Sequence, residues 1–269
     1  LQNFELSEKE PAINLSLINK VNKLVLSSIK PLISSTIYEQ ILEQRSPQVM
    51  PQNEKQTEIP VVLTLEELIP DSEYHVEIYL DSILVEEDME IYTPRNFLAD
   101  IYFLLGHNLN LSSNNQKGDK IFDTMSEFES DFMVWMGNNV SFNKSESNSF
   151  KKMLEKYKSI RKRERVNHFM KKMPHIATWN DKDFGLNTSD TRFALKDSSL
   201  MAFNLFWPNA PKKTYNYTFR EYGLYKRYDY QDVEIFMMDN RMFKTASNQE
   251  EAKFFGDNQI NRFINEIMA

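Results

Sequence analysis

The chain has 269 residues, of which 41% are hydrophobic, enough to bury one large core or two of ordinary size. It contains no cysteine, which excludes disulfides, thiolate metal sites, thiol nucleophiles and a lipid-modified N-terminal cysteine on the chain as it stands. A net charge of −7 and a pI near 5.3 exclude the broad basic surface that nucleic acid rewards.

No apolar run approaches the roughly 18 residues that a membrane-crossing helix needs. The stretch Leu1–Leu6 lacks the basic and apolar regions of a signal peptide, so an exported protein would be represented here by its mature form. The segment to about Pro94 reads as strands. Val61, Val62, Leu63, Thr64 and Leu65 form an apolar run, and Tyr74, Val76, Ile78 and Leu80 alternate with His75, Glu77, Tyr79 and Asp81. Period two implies one buried and one solvated face. Ser46 to Glu58, rich in Gln, Pro, Asn and Ser, is expected as a loop between strands. The spacing from Leu68 to Tyr74 resembles the corner of a fibronectin type III or immunoglobulin-like sandwich, where a tyrosine hydroxyl ties the turn. A β-sandwich over 1–94 follows as the expectation.

From Asp100 short apolar runs alternate with helical stretches: Ile101–Leu105, Phe132–Met136, Ile176–Trp179 and Val233–Met238. Such runs suit interior strands of a layered α/β sheet. Each ends in a polar cluster: Gly106, His107 and Asn108; Gly137, Asn138 and Asn139; Asn180 and Asp181; Asp239, Asn240 and Arg241. Ligand sites in these folds lie beyond the carboxyl ends of strands. The longest helix is expected from about Ser149 to Met173, with Phe150, Met153, Leu154, Tyr157 and Ile160 on its apolar face. Its basic residues, among them Lys151, Lys152, Lys156, Lys158, Arg161, Lys162, Arg163, Arg165, Lys171 and Lys172, suit either a solvated face or an acidic or phosphate-rich partner, and the solvated face is the ordinary reading.

At these strand ends the chain resembles the PhoD-like alkaline phosphatase and phosphodiesterase family, a branch of the calcineurin-like metallophosphoesterases. The resemblance runs from Ile91, Tyr92, Thr93 and Pro94 through Leu105–Asn108 and Lys120–Asp123. It continues with Asp131–Ser141, Trp179–Gly185, Met238–Arg241 and Phe255–Gln259. It implies an α+β chain, an N-terminal fibronectin III/Ig-like β-sandwich (1–94) followed by a metallophosphatase-like α/β/β/α layered domain (95–269). Gly106, Gly137 and Gly185 are then expected in tight turns, Trp135 and Trp179 as buried bulk, and Arg241 as a loop anchor.

Family enzymes use clustered metal ions to generate a hydroxide-like nucleophile and polarise the phosphoryl group, which demands anionic ligands. By resemblance, Asn108 stands at a family cysteine, Asn138 at the metal-bridging aspartate, Ser141 at a ligand-type tyrosine and Asn180 at an aspartate. Lys182 stands at the histidine that would face the scissile phosphate. A carboxamide offers a carbonyl oxygen but no charge, and an ammonium of pKa about 10.4 replaces an imidazole that titrates near 6.5. Asp181, Asp183 and Asp239 remain as carboxylates, more readily structural than ligating. Of the four histidines, His75, His168 and His175 read as structural or surface residues, and His107 alone faces the strand ends. Family members continue to a later Gly Asp Arg His type motif, whereas this chain stops at Ala269, so the domain is expected to be a C-terminally short member.

The expectation is therefore a catalytically inactive pseudophosphatase with no cofactor, no resident metal and no small-molecule substrate. Its role would be that of a structural or binding subunit with protein partners in a bacterial cell-envelope complex, in the periplasm or at the surface. Two alternatives stand beside it. One is a divergent hydrolase built from His107, Asn138, Asp181, Asp183 and Asp239; the other is an anion-binding protein that uses Lys182 and the basic helix.

Overall fold

The structure, a computed structural model, describes residues 13–19, 65, 68–80, 83–109, 111, 116–208 and 223–269. The chain divides into two compact units, 1–99 and 100–269. No helix among the described residues is long and apolar enough to cross a membrane.

In the first unit, β1 (Ile13–Asn19), β2 (Glu73–Leu80) and β3 (Ile83–Tyr92) form an antiparallel sheet in the order β1-β2-β3. The alternation along β2 comes out as the period-two reading requires: Tyr74 and Val76 are buried against Leu65, Leu68, Ile78, Met89 and Ile91. The tyrosine corner is also present. Tyr74 Oη accepts the Ile69 N–H at 2.8 Å, and Thr93 closes the same turn by donating from Oγ1 to Ile69 O at 2.6 Å and accepting the Ser72 N–H at 2.9 Å. Asp71 takes the left-handed φ of 50° that the reversal needs. The expected loop at Ser46–Glu58 and the run Val61–Thr64 lie outside the described residues.

In the second unit β4 (Phe103–Gly106), β5 (Phe132–Met136) and β6 (His175–Thr178) form a parallel sheet in the order β4-β5-β6. The parallel crossovers run through a 3₁₀ turn (Gln116–Asp119) and α1 (Lys120–Ser126), then through α2 (Phe150–Arg161) and α3 (Glu164–Met170). Because side chains alternate along β5, Met133 and Trp135 face one way and Phe132 and Val134 the other. On the first face Trp135 meets Phe122 of α1 and Phe169 of α3. On the second, Phe132 and Val134 pack with Met237, with Tyr228, Tyr230 and Ile235 alongside. Those last residues belong to β7 (Lys226–Tyr230) and β8 (Val233–Met237), a separate antiparallel pair. Beyond it, Phe263 of α6 (Asp257–Ile267) meets Phe236 edge-on with ring centroids 5.0 Å apart. Two further helices among the described residues are the four-residue α4 (Asp181–Phe184) and α5 (Lys196–Phe206). The layers run helix, parallel sheet, antiparallel pair, helix.

Several expectations change. Val233–Met238 is not an interior strand of the parallel sheet, because the chain reverses at Gln231, with φ 54°, and pairs back on β7. The single helix over Ser149–Met173 is two. Ser149 caps α2 by accepting the Lys152 N–H at 3.3 Å, and the buried positions run 150, 153, 154, 157 and 160. The next buried residues are Val166 and Phe169, and a six-residue step from Ile160 advances about 240° around a helix, so a continuous helix could not bury both sets. Arg163 takes extended backbone at the break, and its guanidinium pairs bidentately with Asp119 at 2.6 and 2.7 Å.

The basic stretch is correspondingly not one solvated face. Lys152, Lys162 and Lys172 are exposed, but Lys156 pairs with Glu146 at 3.2 Å, and the Arg161 guanidinium lies 4.1 Å from the Trp207 ring centroid. Of the glycines expected in tight turns, only Gly137 has a positive φ, at 96°. A Cβ on Gly106 would instead meet the end of Met133 at 2.3 Å, and one on Gly185 would meet Ser189 Oγ at 2.7 Å, so close packing explains both.

Replacing Tyr74 by Phe leaves the Ile69 N–H without its acceptor. The unfolding transition of the first unit is expected to lose about 1 kcal/mol in urea, with an unchanged denaturant slope. A change below about 0.3 kcal/mol would show that the corner is not held by this hydroxyl.

Candidate functional site at the strand ends

Four strand ends supply the site: residues 106–108 after β4, 137–141 after β5, 179–185 after β6 and 238–242 after β8. At the β5 end two consecutive positive φ values, 96° at Gly137 and 54° at Asn138, turn the backbone sharply. A side chain at 137 would place its first carbon 2.8 Å from the Asn180 nitrogen, so glycine is required twice over. The turn directs amide hydrogens of the β5 loop at Asp183.

Asp183 is fully buried. Its Oδ2 accepts the Asn138 N–H at 2.5 Å and the Asn180 N–H at 2.9 Å, and its Oδ1 accepts the Val140 N–H at 2.9 Å. The Asn180 contact belongs to a capping box that starts α4. Asn138 returns the link by accepting the Lys182 N–H on Oδ1 at 3.2 Å. Asp181 is used locally: Oδ1 accepts the Lys182 N–H at 3.0 Å and Oδ2 the Thr188 N–H at 2.8 Å.

A second buried carboxylate organises the β8 end. Asp239 Oδ1 accepts from Trp179 Nε1, Arg241 N and Met242 N, each at 2.8 Å, and Oδ2 accepts the Leu224 N–H at 2.8 Å. Gly223, at φ 58°, passes so close that a Cβ there would lie 2.1 Å from Oδ2. Arg241 then joins the two centres: its Nε donates to Asn180 Oδ1 at 2.8 Å, its Nη2 donates to the same oxygen, and its Nη1 donates to Ser189 O at 3.4 Å. Arg241 thus anchors the β6 loop. Gln259, at the start of α6, embraces the Asp239 backbone, with Oε1 accepting its N–H at 2.6 Å and Nε2 donating to its carbonyl at 2.9 Å.

The structure therefore brings Asn138, Asn180, Asp181, Lys182, Asp183 and Asp239 into one connected network. Asn108 joins it through its backbone, with φ 62° and an N–H donated to Gly137 O at 3.0 Å, while its side chain is exposed. His107 is exposed at the β4 end. Ser141 Oγ is buried without a hydrogen-bond partner among the described residues. His175 is structural: its Nδ1 accepts the Trp135 indole N–H at 3.0 Å, and burial pushes its pKa down to about 3. Gln259, Gly223 and the Trp179 indole were not read as site residues. Only the run Phe255–Gln259 pointed toward the first of them.

The electrostatics follow from this geometry. Burial pushes the Asp183 carboxyl up to about 7, against backbone N–H groups of Asn180, Val140, Asn138 and Asn139 that pull it down. Burial also raises Asp239 against its own donors, and it lowers Arg241. A divalent cation prefers anionic oxygens with lone pairs to spare. Here both oxygens of all three carboxylates already accept N–H groups of the scaffold, and the neighbouring side chains are two carboxamides and an ammonium. Among the described residues no group of three or more His, Cys, Asp or Glu is placed to hold a metal ion.

No protein-family model matches the chain. No curated protein matches it either. Among solved structures it is similar to one titled "Structure of PhoD", with a TM-score of 0.71 and 11% sequence identity over 97% of this chain and 54% of that one. The fold is thus PhoD-like, and the chain spans about half the length of the structure it matches.

Asp183 makes a signed pH prediction. Its folded pKa near 7 exceeds the ordinary 3.8, so the folded state retains a proton that the unfolded chain releases, and this contribution to stability is lost as pH rises from about 4 through about 7. Asp239 acts in the same direction and His175, with its lowered pKa, in the opposite one. The cost of Asp183→Asn, measured by urea unfolding, is expected to be largest at pH 4 and below, to shrink through pH 7 and to be smallest by pH 8. A cost that grows with pH would contradict the assignment.

Proposed function

We propose that this protein is a PhoD-like pseudophosphatase that serves as a structural or binding subunit of a bacterial cell-envelope complex. The observation that carries the reading is that both oxygens of Asp181, Asp183 and Asp239 accept N–H groups of the chain, several of them from neighbouring strand ends. In this reading the acidic groups that could have held metal serve as connectors between strand ends. Asn138 and Lys182 contribute backbone and carboxamide hydrogen bonds to the same network in place of ligand and acid chemistry. The N-terminal unit would be a fibronectin III-like sandwich over 1–94 and the remainder, 95–269, the degenerate catalytic-type domain, exported to the periplasm or surface.

Exposed apolar side chains support a protein partner. Phe103 and Leu105 on β4 are 43% and 57% exposed, and they lie on the same face of the sheet as the buried Phe132 and Val134. On α6, Ile264 and Ile267 are 50% and 53% exposed beside the packed Phe263. Such surface favours association.

Purified chain supplied with manganese, calcium or zinc is expected to leave a nitrophenyl phosphate ester untouched. The Asn138→Asp/Lys182→His double variant should be equally inert, because Asp183 and Asp239 stay bonded to the scaffold. Turnover tenfold above the metal-only background in either protein would overturn the reading. Native purification should yield a defined complex; a stable lone monomer at high dilution would remove the partner role.

A further inference from the structure

Surface helices ordinarily turn apolar side chains inward and charged ones to water. α6 does the reverse. Its inner side is polar: Gln259 is fully buried on the Asp239 backbone, Glu266 accepts the Tyr225 hydroxyl and the Arg262 Nε–H, each at 2.8 Å, and the Arg262 guanidinium lies 5.0 Å from the Tyr225 ring centroid. Arg227 of β7 adds a hydrogen bond to the Glu266 carbonyl at 3.4 Å. Of the apolar residues, Phe263 packs on Phe236, whereas Ile264, Ile267 and Met268 are 50%, 53% and 81% exposed. At about 100° per residue, Ile260, Ile264 and Ile267, with Met268 at the end, form one stripe turned away from Gln259 and Glu266. The polar residues beside this stripe are Asn258, Asn261 and Asn265, all exposed and all uncharged. At the start of the helix the charges of Lys253 and Asp257 neutralise each other at 2.5 Å.

We propose that the outward stripe of α6 is the interface of a homodimer, in which α6 packs antiparallel against α6 of a second copy about a two-fold axis near Ile264. The proposal deepens the partner reading above by naming the occupant of one of its two surfaces. Charge selects that occupant. Each copy carries −7, so two copies meet favourably only through a neutral face, and this is one: isoleucine and methionine flanked by carboxamides, which donate and accept alike and so complement themselves. An acidic or basic partner would find no counter-charge there, and an anionic membrane surface no lysine or arginine on the exposed side of the helix. The antiparallel sense opposes the two helix dipoles and sets Ile264 against its mate, with Ile260 of each copy near Met268 of the other. Size sets the strength. A helix of 11 residues is about 16 Å long, and such a face buries on the order of a few hundred Å² per copy, below the roughly 800 Å² of a standard interface. The dimer is therefore weak, with a Kd on the order of 50 µM.

Sedimentation equilibrium of the full chain tests the proposal. Wild type is expected to be mostly monomer at about 5 µM and mostly dimer at about 500 µM. Ile264→Glu, a change at an exposed position that leaves the thermal transition in place, should weaken association roughly tenfold or more, because two carboxylates would meet in the contact. Leu105→Glu, on the exposed face of β4, should leave association unchanged. The chain has no cysteine, so Ile264→Cys gives a second readout: mild oxidation should link it into a disulfide dimer, while the comparably exposed Ile121→Cys stays monomeric. Wild type that is still monomeric at about 500 µM would overturn the proposal. So would a dimer that Leu105→Glu breaks and Ile264→Glu does not, or binding of monomer to phosphatidylcholine vesicles that Ile264→Glu abolishes. Failure here leaves the reading of the strand ends standing, since phosphate-ester turnover and the make-up of the native complex test that separately.

Discussion

The carboxylate of Asp183 and the amide hydrogens of the β5 loop hold the second unit's strand ends in place. Two consecutive residues in left-handed backbone aim those amides, and glycine at 137 is needed because Asn180 and Trp179 lie against it. The same carboxylate caps the short helix after β6. One buried group thus fixes the relative position of two parallel strands, starts a helix and orders the loop that carries Asn138 and Lys182. Asp239 repeats the device one sheet away, with Arg241 and Asn180 as the bridge.

This arrangement holds the strand ends together by hydrogen bonds of the chain itself. A carboxylate that accepts several backbone N–H groups contributes to folding whether or not a cation is present. The Asn138 carboxamide adds an uncharged acceptor for the Lys182 amide. Asparagine also tolerates the left-handed backbone at 108 and 138 better than most residues.

Much of this was legible in the sequence. The alternation at Tyr74 and Val76, the tyrosine-tied turn within Leu68–Tyr74 and the apolar runs of β4 to β6 follow from local pattern, and the structure places them as strands and a turn. The break at Arg163 was not read, although the six-residue step from Ile160 to Val166 recorded it. The separate pairing of β8 was also missed, because an apolar run of strand length does not say which strand it joins. Gln259 escaped for a different reason: its role depends on a backbone 20 residues away, and no local spacing encodes that contact. The inward turn of Arg161 was hidden in the same way, since a basic run looks alike whether its members face water or an indole ring.

The central claim is that the acidic groups at the strand ends are committed to the scaffold. Calorimetric titration of manganese or zinc into the metal-stripped full chain at neutral pH tests it most directly. The account predicts no stoichiometric uptake at micromolar affinity. Stoichiometric binding in that range, lost when Asn138 is replaced by Ala, would contradict it.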